Sequence, residues 1–366
     1  MENRTITDRL SALRQAMARE KIDFYMIPTA DFHNSEYVND YFKIREFFCG
    51  FTGSNGTLVV WKEGAGLWTD GRYFIQAENE LTGTGVTLFR MLQEGVPTIE
   101  EFLQKEMKDG ETLGFDGRVI SAAEGKRYEK ALAGKNIVFS YDKDLAESIW
   151  TDRPAFPAGQ VSVLPGDIVG KTVGEKLAEV RQELTKKGAE SLLLTKLDDI
   201  MWLFNIRGCD VECNPVAMSY AYITQDGAVL FIRKEALSGE VLSYLGKTGT
   251  EVKEYGEITD FVRALPGNGK NLLDERYVSY NFYKILQEKQ AVTEGKNPTE
   301  LLKSVKNATE LANMEKVYLQ DSVAVTKFIY WLKKNIGKTP MTELSASDYL
   351  AARRAEQEGF LDLSFD

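Results

Sequence analysis

Ile6, Leu10, Leu13 and Met17 recur at helical spacing, with Thr7 or Asp8 available as cap and first-turn acid. Lys21 closes that segment, and Phe24-Tyr25-Met26-Ile27 reads as a short buried strand stopped by Pro28. Residues 34–40 read as a helical turn beside a loop. The stretch that organises the chain comes next. Gly50 to Gly56 is a glycine-rich turn, 57–61 a β-branched strand, 62–66 a tight turn and 67–69 the returning strand. Asp70-Gly71 ends this hairpin and leaves Arg72 at the start of a helix over 73–81. The pattern then predicts strand 86–91, helix 98–107, strand 112–115, helix 121–133, strand 136–139 and helix 143–150. Strands alternating with helices of this length point to a layered α/β domain.

Residues 152–166 carry three prolines and two glycines and read as a linker. Beyond this linker the chain repeats its own beginning. Lys176 to Gln182 matches Arg9 to Gln15 at an offset of 167 residues, and Leu192-Leu193-Leu194 falls on Tyr25-Met26-Ile27 at the same offset. One helix–strand unit is used twice, at a period too long for a solenoid; the second halves diverge. The second unit continues as a short helix from Asp198 to Phe204, strands 218–224 and 228–232 joined by Asp226-Gly227, a strand near 273–277 and a helix over 280–290. Beyond Pro298 long helices take over, at 308–335 and 343–358. The first is apolar over more than one stripe and wants a broad burial partner.

Length and charge narrow the class. A chain of 366 residues exceeds one ordinary core, so two or three domains are expected. A net charge of −10, with the charges interspersed, argues against binding a phosphate backbone, so no nucleic-acid partner is expected. No apolar run reaches membrane length and no signal-peptide order opens the chain; three cysteines suit a reducing compartment. A cytoplasmic protein with no membrane partner is the expectation.

Candidate chemistry is sparse. Arg72, fixed at the end of a hairpin, faces either a cleft or a neighbouring carboxylate such as Asp70. Asp198-Asp199 reads as a helix-start or solvated pair. His33 is the only histidine, so with Cys49, Cys209 and Cys213 a Cys3His site is arithmetically available, but the spacing is loose. Ser54 with His33 lacks the strained elbow of a nucleophile, and the glycines near it lack the lysine of a phosphate loop. Arg207 and Asp210 read as a loop ion pair around Gly208. No catalytic residue and no metal ligand is nominated.

Three blocks carry a family resemblance: Asp31-Phe32-His33-Asn34-Ser35-Glu36-Tyr37, Gly50-Phe51-Thr52-Gly53-Ser54 and Trp68-Thr69-Asp70-Gly71-Arg72-Tyr73-Phe74. With Ile149 to Pro154, and Trp202 to Gly208 through Asn214-Pro215, they resemble the three-domain Xaa-Pro aminopeptidases, in the same order and over the whole chain. The resemblance implies two similar creatinase N-terminal-like domains of α/β class, each a mixed sheet flanked by helices, at 1–155 and 156–303. Residues 304–366 would be the leading helices of a catalytic domain of the pita-bread type. It also implies a substrate-gating role, with Arg72 binding substrate. The parent enzyme's two divalent metal ions, manganese by family habit, would lie beyond this chain, which alone would be inactive. Proline-containing peptides would be its substrates and a homodimer one assembly. The rival expectation is a non-catalytic binding or oligomerisation protein built from the same domains.

Overall fold

The computed structural model describes residues 5–365; the outermost residues of the expected domains, 1–4 and 366, lie outside that range. Helix α1 (Ile6–Arg19) is capped by Thr5, ahead of the expected Thr7 or Asp8. The Thr5 hydroxyl accepts from the Asp8 N–H while the Asp8 carboxylate accepts from the Thr5 N–H, a reciprocal cap worth about 1 kcal/mol. Leu10, Leu13 and Met17 of α1 are buried in the first core.

The first sheet contains β1 (Phe24–Pro28), β2 (Thr57–Trp61), β3 (Ala65–Thr69), β4 (Thr87–Arg90), β5 (Thr112–Phe115) and β6 (Val138–Ser140), in the order β4-β3-β2-β1-β5-β6. Helices α2 (Ile44–Cys49), α3 (Phe74–Glu80), α4 (Ile99–Glu106) and α5 (Ala122–Leu132) complete the domain. Two expectations fail here. The helical turn sits later than 34–40, as a 3₁₀ turn at Asp40–Phe42 running on into α2. Residues 143–150 form turns instead of a helix. Asp144 explains this, because its carboxylate accepts from the Ala146 N–H and from Arg153, drawing the backbone away from the helical ladder.

Residues 154–160 have no regular structure, yet they are packed. Phe156 stacks on Phe32 and meets Tyr41, Phe42 and Tyr255 edge-on or tilted. A two-residue pairing of β7 (Ser162–Val163) with the later β9 (Ile206–Arg207), and the single turn α6 (Gly166–Val169), lead into the second domain.

Helix α7 (Val173–Lys186) and strand β8 (Ser191–Leu194) stand at the 167-residue offset from α1 and β1. After α8 (Leu197–Phe204) come β10 (Ser219–Thr224), β11 (Ala228–Ile232), α9 (Gly239–Lys247), β12 (Thr250–Glu254), α10 (Ile258–Ala264), β13 (Asn271–Leu273), α11 (Tyr280–Glu288) and β14 (Val292–Glu294). The second sheet runs β12-β11-β10-β8-β13-β14. Its central strand pairs antiparallel on one side and parallel on the other, as β1 does, and the outer pairings repeat the first sheet's senses. The halves that diverge in sequence are therefore the same in topology. This is an α/β protein of two similar domains.

The two domains share side chains. Phe32, Phe42 and Ala122 belong to the second core, while Tyr280 of α11 belongs to the first. Helix α12 (Pro298–Ser304) then leads to α13 (Ala308–Asn335) and α14 (Glu343–Ala355). The start of α13 rests on α6, with Asn307 and Asn313 donating to the Val169 and Asp167 carbonyls. Farther along, its partner is α14, through the Trp331–Tyr349 stack at 4.0 Å and the Asp321–Arg354 ion pair at 2.7 Å. The broad burial that the sequence asks for is not met, since Leu311, Val317, Leu319, Val323 and Ile329 remain exposed.

Candidate functional site

The glycine-rich loop before β2 is built around a buried arginine that the sequence reading missed. Arg45, 4 % exposed, donates to the Phe51 and Gly53 carbonyls and to the Thr29 hydroxyl, and its guanidinium lies over the Phe51 ring. It lies in a largely apolar helix, Ile44-Arg45-Glu46-Phe47-Phe48, and a charge in that setting was the available signal. Of the loop glycines, Gly50 uses positive φ, at +77°. Gly53 is needed for space, because a Cβ there would come within 2.2 Å of Phe51 and 2.8 Å of Tyr73.

This loop and the β2–β3 hairpin position Asp70 and Arg72. The Arg72 Nε and Nη2 each donate to Asp70 at 2.9 Å, and the Arg72 backbone N–H donates to the same carboxylate. Asn55 donates to Asp70 as well, at 2.7 Å. Bonding to Arg72, aided by Asn55, holds the Asp70 carboxyl far below the usual carboxylate range, and the same pairing raises Arg72. Tyr73 lies under the guanidinium and shares a 2.6 Å hydrogen bond with Ser54. The arginine thus has the carboxylate partner that its spacing suggested, and it still presents most of its side chain, 66 %, to solvent.

Two other Asp-x-Arg units repeat this geometry one residue past a strand end, at Asp116/Arg118 after β5 and Asp274/Arg276 after β13. Each of those arginines also reaches a second acid, Asp144 at 3.6 Å and Glu300 at 2.7 Å. Arg72 has no second acid at ion-pair distance among the described residues, Glu36 acting on it only from farther away, and it is the most exposed of the three.

The remaining candidates are dispersed. His33 is buried between the domains, with Nδ1 2.8 Å from the Thr195 carbonyl and Nε2 2.8 Å from the Tyr255 hydroxyl. A carbonyl only accepts, so Nδ1 carries the proton and Nε2 accepts from Tyr255. Both ring nitrogens are thereby used inside the fold, and Ser54 is bonded to Tyr73 instead. Cys49 is buried while Cys209 is exposed. Among the described residues no three His, Cys, Asp or Glu side chains are grouped to hold a metal ion. The described side chains do not fit a dinuclear centre.

Asp198 and Asp199 stand in the first turn of α8, as helix-start residues, but Asp199 is not solvated: it is fully buried, accepts from the Thr299 hydroxyl and pairs with Lys303 at 2.8 Å. The expected loop ion pair is overturned. Arg207 and Asp210 do not pair with each other. Asp210 accepts from the Met218 and Gly159 N–H groups, and Arg207 donates to the Met201 and Ile206 carbonyls. No helix among the described residues is long and apolar enough to cross a membrane.

Two profiles of the creatinase/prolidase N-terminal domain match the chain, one over residues 9–144 and the other over 152–310. The chain belongs to the creatinase/prolidase family and carries its N-terminal domain twice. Over its whole length it is similar to Xaa-Pro aminopeptidases P. The probable Xaa-Pro aminopeptidase P of Botryotinia fuckeliana is 35 % identical over 378 residues, covering 100 % of this chain and 58 % of the relative. That of Sordaria macrospora is 36 % identical, covering 98 % and 61 %. The crystal structure of an X-prolyl aminopeptidase from Caenorhabditis elegans, described as a cytosolic enzyme with a di-nuclear active site, matches with a TM-score of 0.92 at 30 % identity, covering 99 % of this chain and 62 % of that one. This chain therefore spans about three fifths of the length of these relatives.

Proposed function

We propose that this chain is the substrate-gating and assembly portion of a metal-dependent, cytoplasmic Xaa-Pro aminopeptidase, which releases the N-terminal residue preceding proline from proline-containing peptides. The observation that carries this reading is the contrast among the three Asp-x-Arg units. Arg118 and Arg276 are each consumed by two acids, whereas Arg72 is clamped by Asp70 alone and left open to solvent. A guanidinium clamped on one side by a carboxylate is pre-oriented, so it can take a peptide carbonyl or carboxylate on its other side with little loss of side-chain entropy.

The domain assignment goes with that reading: residues 1–155 and 156–303 as the two N-terminal domains, and 304–366 as helices that lead into a catalytic domain. Two divalent ions, manganese by resemblance, would generate the attacking hydroxide in that further domain, and none of the side chains described above is assigned to them. The exposed face of α13 favours a second reading, that of a binding or oligomerisation protein without catalysis. The codons after Asp366 separate the two. Continuation into motifs rich in histidine and acidic residues supports the enzyme, and a stop codon in the natural gene supports the binding protein.

A further inference from the structure

Two cations meet at the C-terminal end of α8. Lys176, only 1 % exposed, donates from Nζ to the Trp202 carbonyl at 2.8 Å and to Asn205 Oδ1 at 2.6 Å. Arg207, half-buried, donates from Nη1 to the Met201 and Ile206 carbonyls. Neither forms an ion pair with a carboxylate of the described residues. The magnitudes show an imbalance. A helix C-terminus supplies roughly half a negative charge, against two full positive ones. Lys306 adds a third cation, and its Nζ also donates to a carbonyl, that of Lys303. The one acid lining the same groove, Glu310, accepts from the Asn307 N–H as the cap of α13, where the positive end of that helix already opposes it. At least one positive charge is left uncompensated in a half-closed site. Burial, against a smaller opposing pull from Glu310, pushes the Lys176 ammonium down to about 8.

These groups line one groove of about 430 Å³ between α6, α8 and the first turns of α13. The rest of its wall is mostly apolar, formed by Leu164, Ile168, Val169, Met314, Val317 and the Trp202 ring, with Asn313 and Tyr318 beside them. A charge that burial disfavours draws in a counter-ion, and walls of this kind select one that brings its own apolar surface. We propose that this groove binds an organic carboxylate carrying an apolar chain, with the carboxylate held by Arg207 and the buried Lys176 and the chain laid against Trp202 and α13. A phosphate dianion is disfavoured, because Glu310 opposes the second charge, the Asn313 amide is already given to the Asp167 and Ile168 carbonyls, and the apolar walls gain nothing from it. The site is independent of the peptidase reading and stands or falls without it.

Calorimetric titration of the whole chain with octanoate at pH 8 tests it, with octanol and inorganic phosphate as the apolar-only and charge-only controls. Octanoate is expected to bind, to take up a fraction of a proton as Lys176 becomes fully charged, and to bind at least tenfold more tightly than either control. Arg207→Gln is expected to weaken octanoate at least tenfold. Lys176→Met is expected to abolish the proton uptake; should that variant not fold, Arg207→Gln and the two controls still decide. The proposal is overturned if millimolar octanoate does not bind, if octanol or phosphate binds as well, or if Arg207→Gln leaves the affinity unchanged.

Discussion

Ser121 and Ser279 face each other in an antiparallel bridge, and each caps the helix that it precedes, α5 and α11. The Ala122 and Ala123 N–H groups donate to the Val278 and Glu275 carbonyls across the junction. Tyr280 and Asn281 return the pattern, donating to the Ile120 and Gly117 carbonyls. First-turn amides have no partner inside their own helix. Here each domain supplies the other's missing acceptors, so the two repeats meet about a local two-fold axis. Such a junction resists sliding, because a shift would leave four backbone donors unpaired.

Gly125 on α5 makes this close approach feasible. A Cβ there would fall 2.0 Å from the ring of Tyr280, which is 1 % exposed and donates from its hydroxyl to Glu129. Gly125→Ala is therefore expected to destabilise the chain by about 1–3 kcal/mol, despite the better helix propensity of alanine. Urea unfolding checks this; a stability equal to or above that of the native sequence would contradict it.

His33 provides a pH-dependent probe of the same interface. Burial lowers its pKa, outweighing the opposite pull of Asp31 and of its bond to Thr195. The neighbouring groups are Asp31 on its own loop and Tyr220 and Tyr255 from the second domain. As pH falls through about 6.5, the unfolded chain takes up a proton that the folded one refuses, so this residue's contribution makes folding less favourable below that pH. It is the only histidine, so its ring signals need no assignment. An NMR titration is expected to give a midpoint below 6.5 with the proton on Nδ1; a midpoint at or above 6.5 would contradict the buried, neutral ring.

Much of this architecture was legible because buried strands and capped helices leave strong patterns. The pattern places Thr57–Trp61, Thr112–Phe115, Ala228–Ile232 and Ala308–Asn335 at the bounds that the structure shows. Residues 239–264 carry no such signal. There α9 is short and carries glycines at its two ends, and β12, an edge strand of sequence Thr-Glu-Val-Lys-Glu, carries polar residues as edges do. The identity of the two sheets was hidden because topology depends on which strands pair, and the shared residue offset is lost after the first helix and strand. Arg72 was legible as a position, and so was its pairing with Asp70. Its contrast with Arg118 and Arg276 was not, because the second acids, Asp144 and Glu300, are distant in sequence.

The outward face of α13 predicts self-association of this chain. Leu319, Val323 and Ile329 lie on one side of the helix and are exposed, and a side chain of this size gains roughly 1.5–3 kcal/mol on full burial. Sedimentation is expected to show a dimer forming with rising concentration and Leu319→Glu weakening it. A monomer at every concentration would contradict this.

In a longer protein that joins these domains to a catalytic one, Arg72→Gln is expected to lower kcat/KM on an Xaa-Pro peptide on the order of 10- to 100-fold, the scale of one lost charge-assisted contact. Because Arg72 is mainly exposed, thermal stability should change little. An unchanged kcat/KM would remove Arg72 from the substrate's path.

On the function proposed above, this chain presents the substrate side of an aminopeptidase and a further domain supplies the chemistry. Its single histidine is engaged with Thr195 and Tyr255, and no acidic or thiol cluster of the described residues replaces it. The most direct test is to assay the purified chain on an Xaa-Pro peptide with added Mn²⁺, Zn²⁺ or Co²⁺. No release of the N-terminal residue is expected with any of the three. Turnover that co-purifies with the chain, and is saturable in peptide and metal, would contradict it.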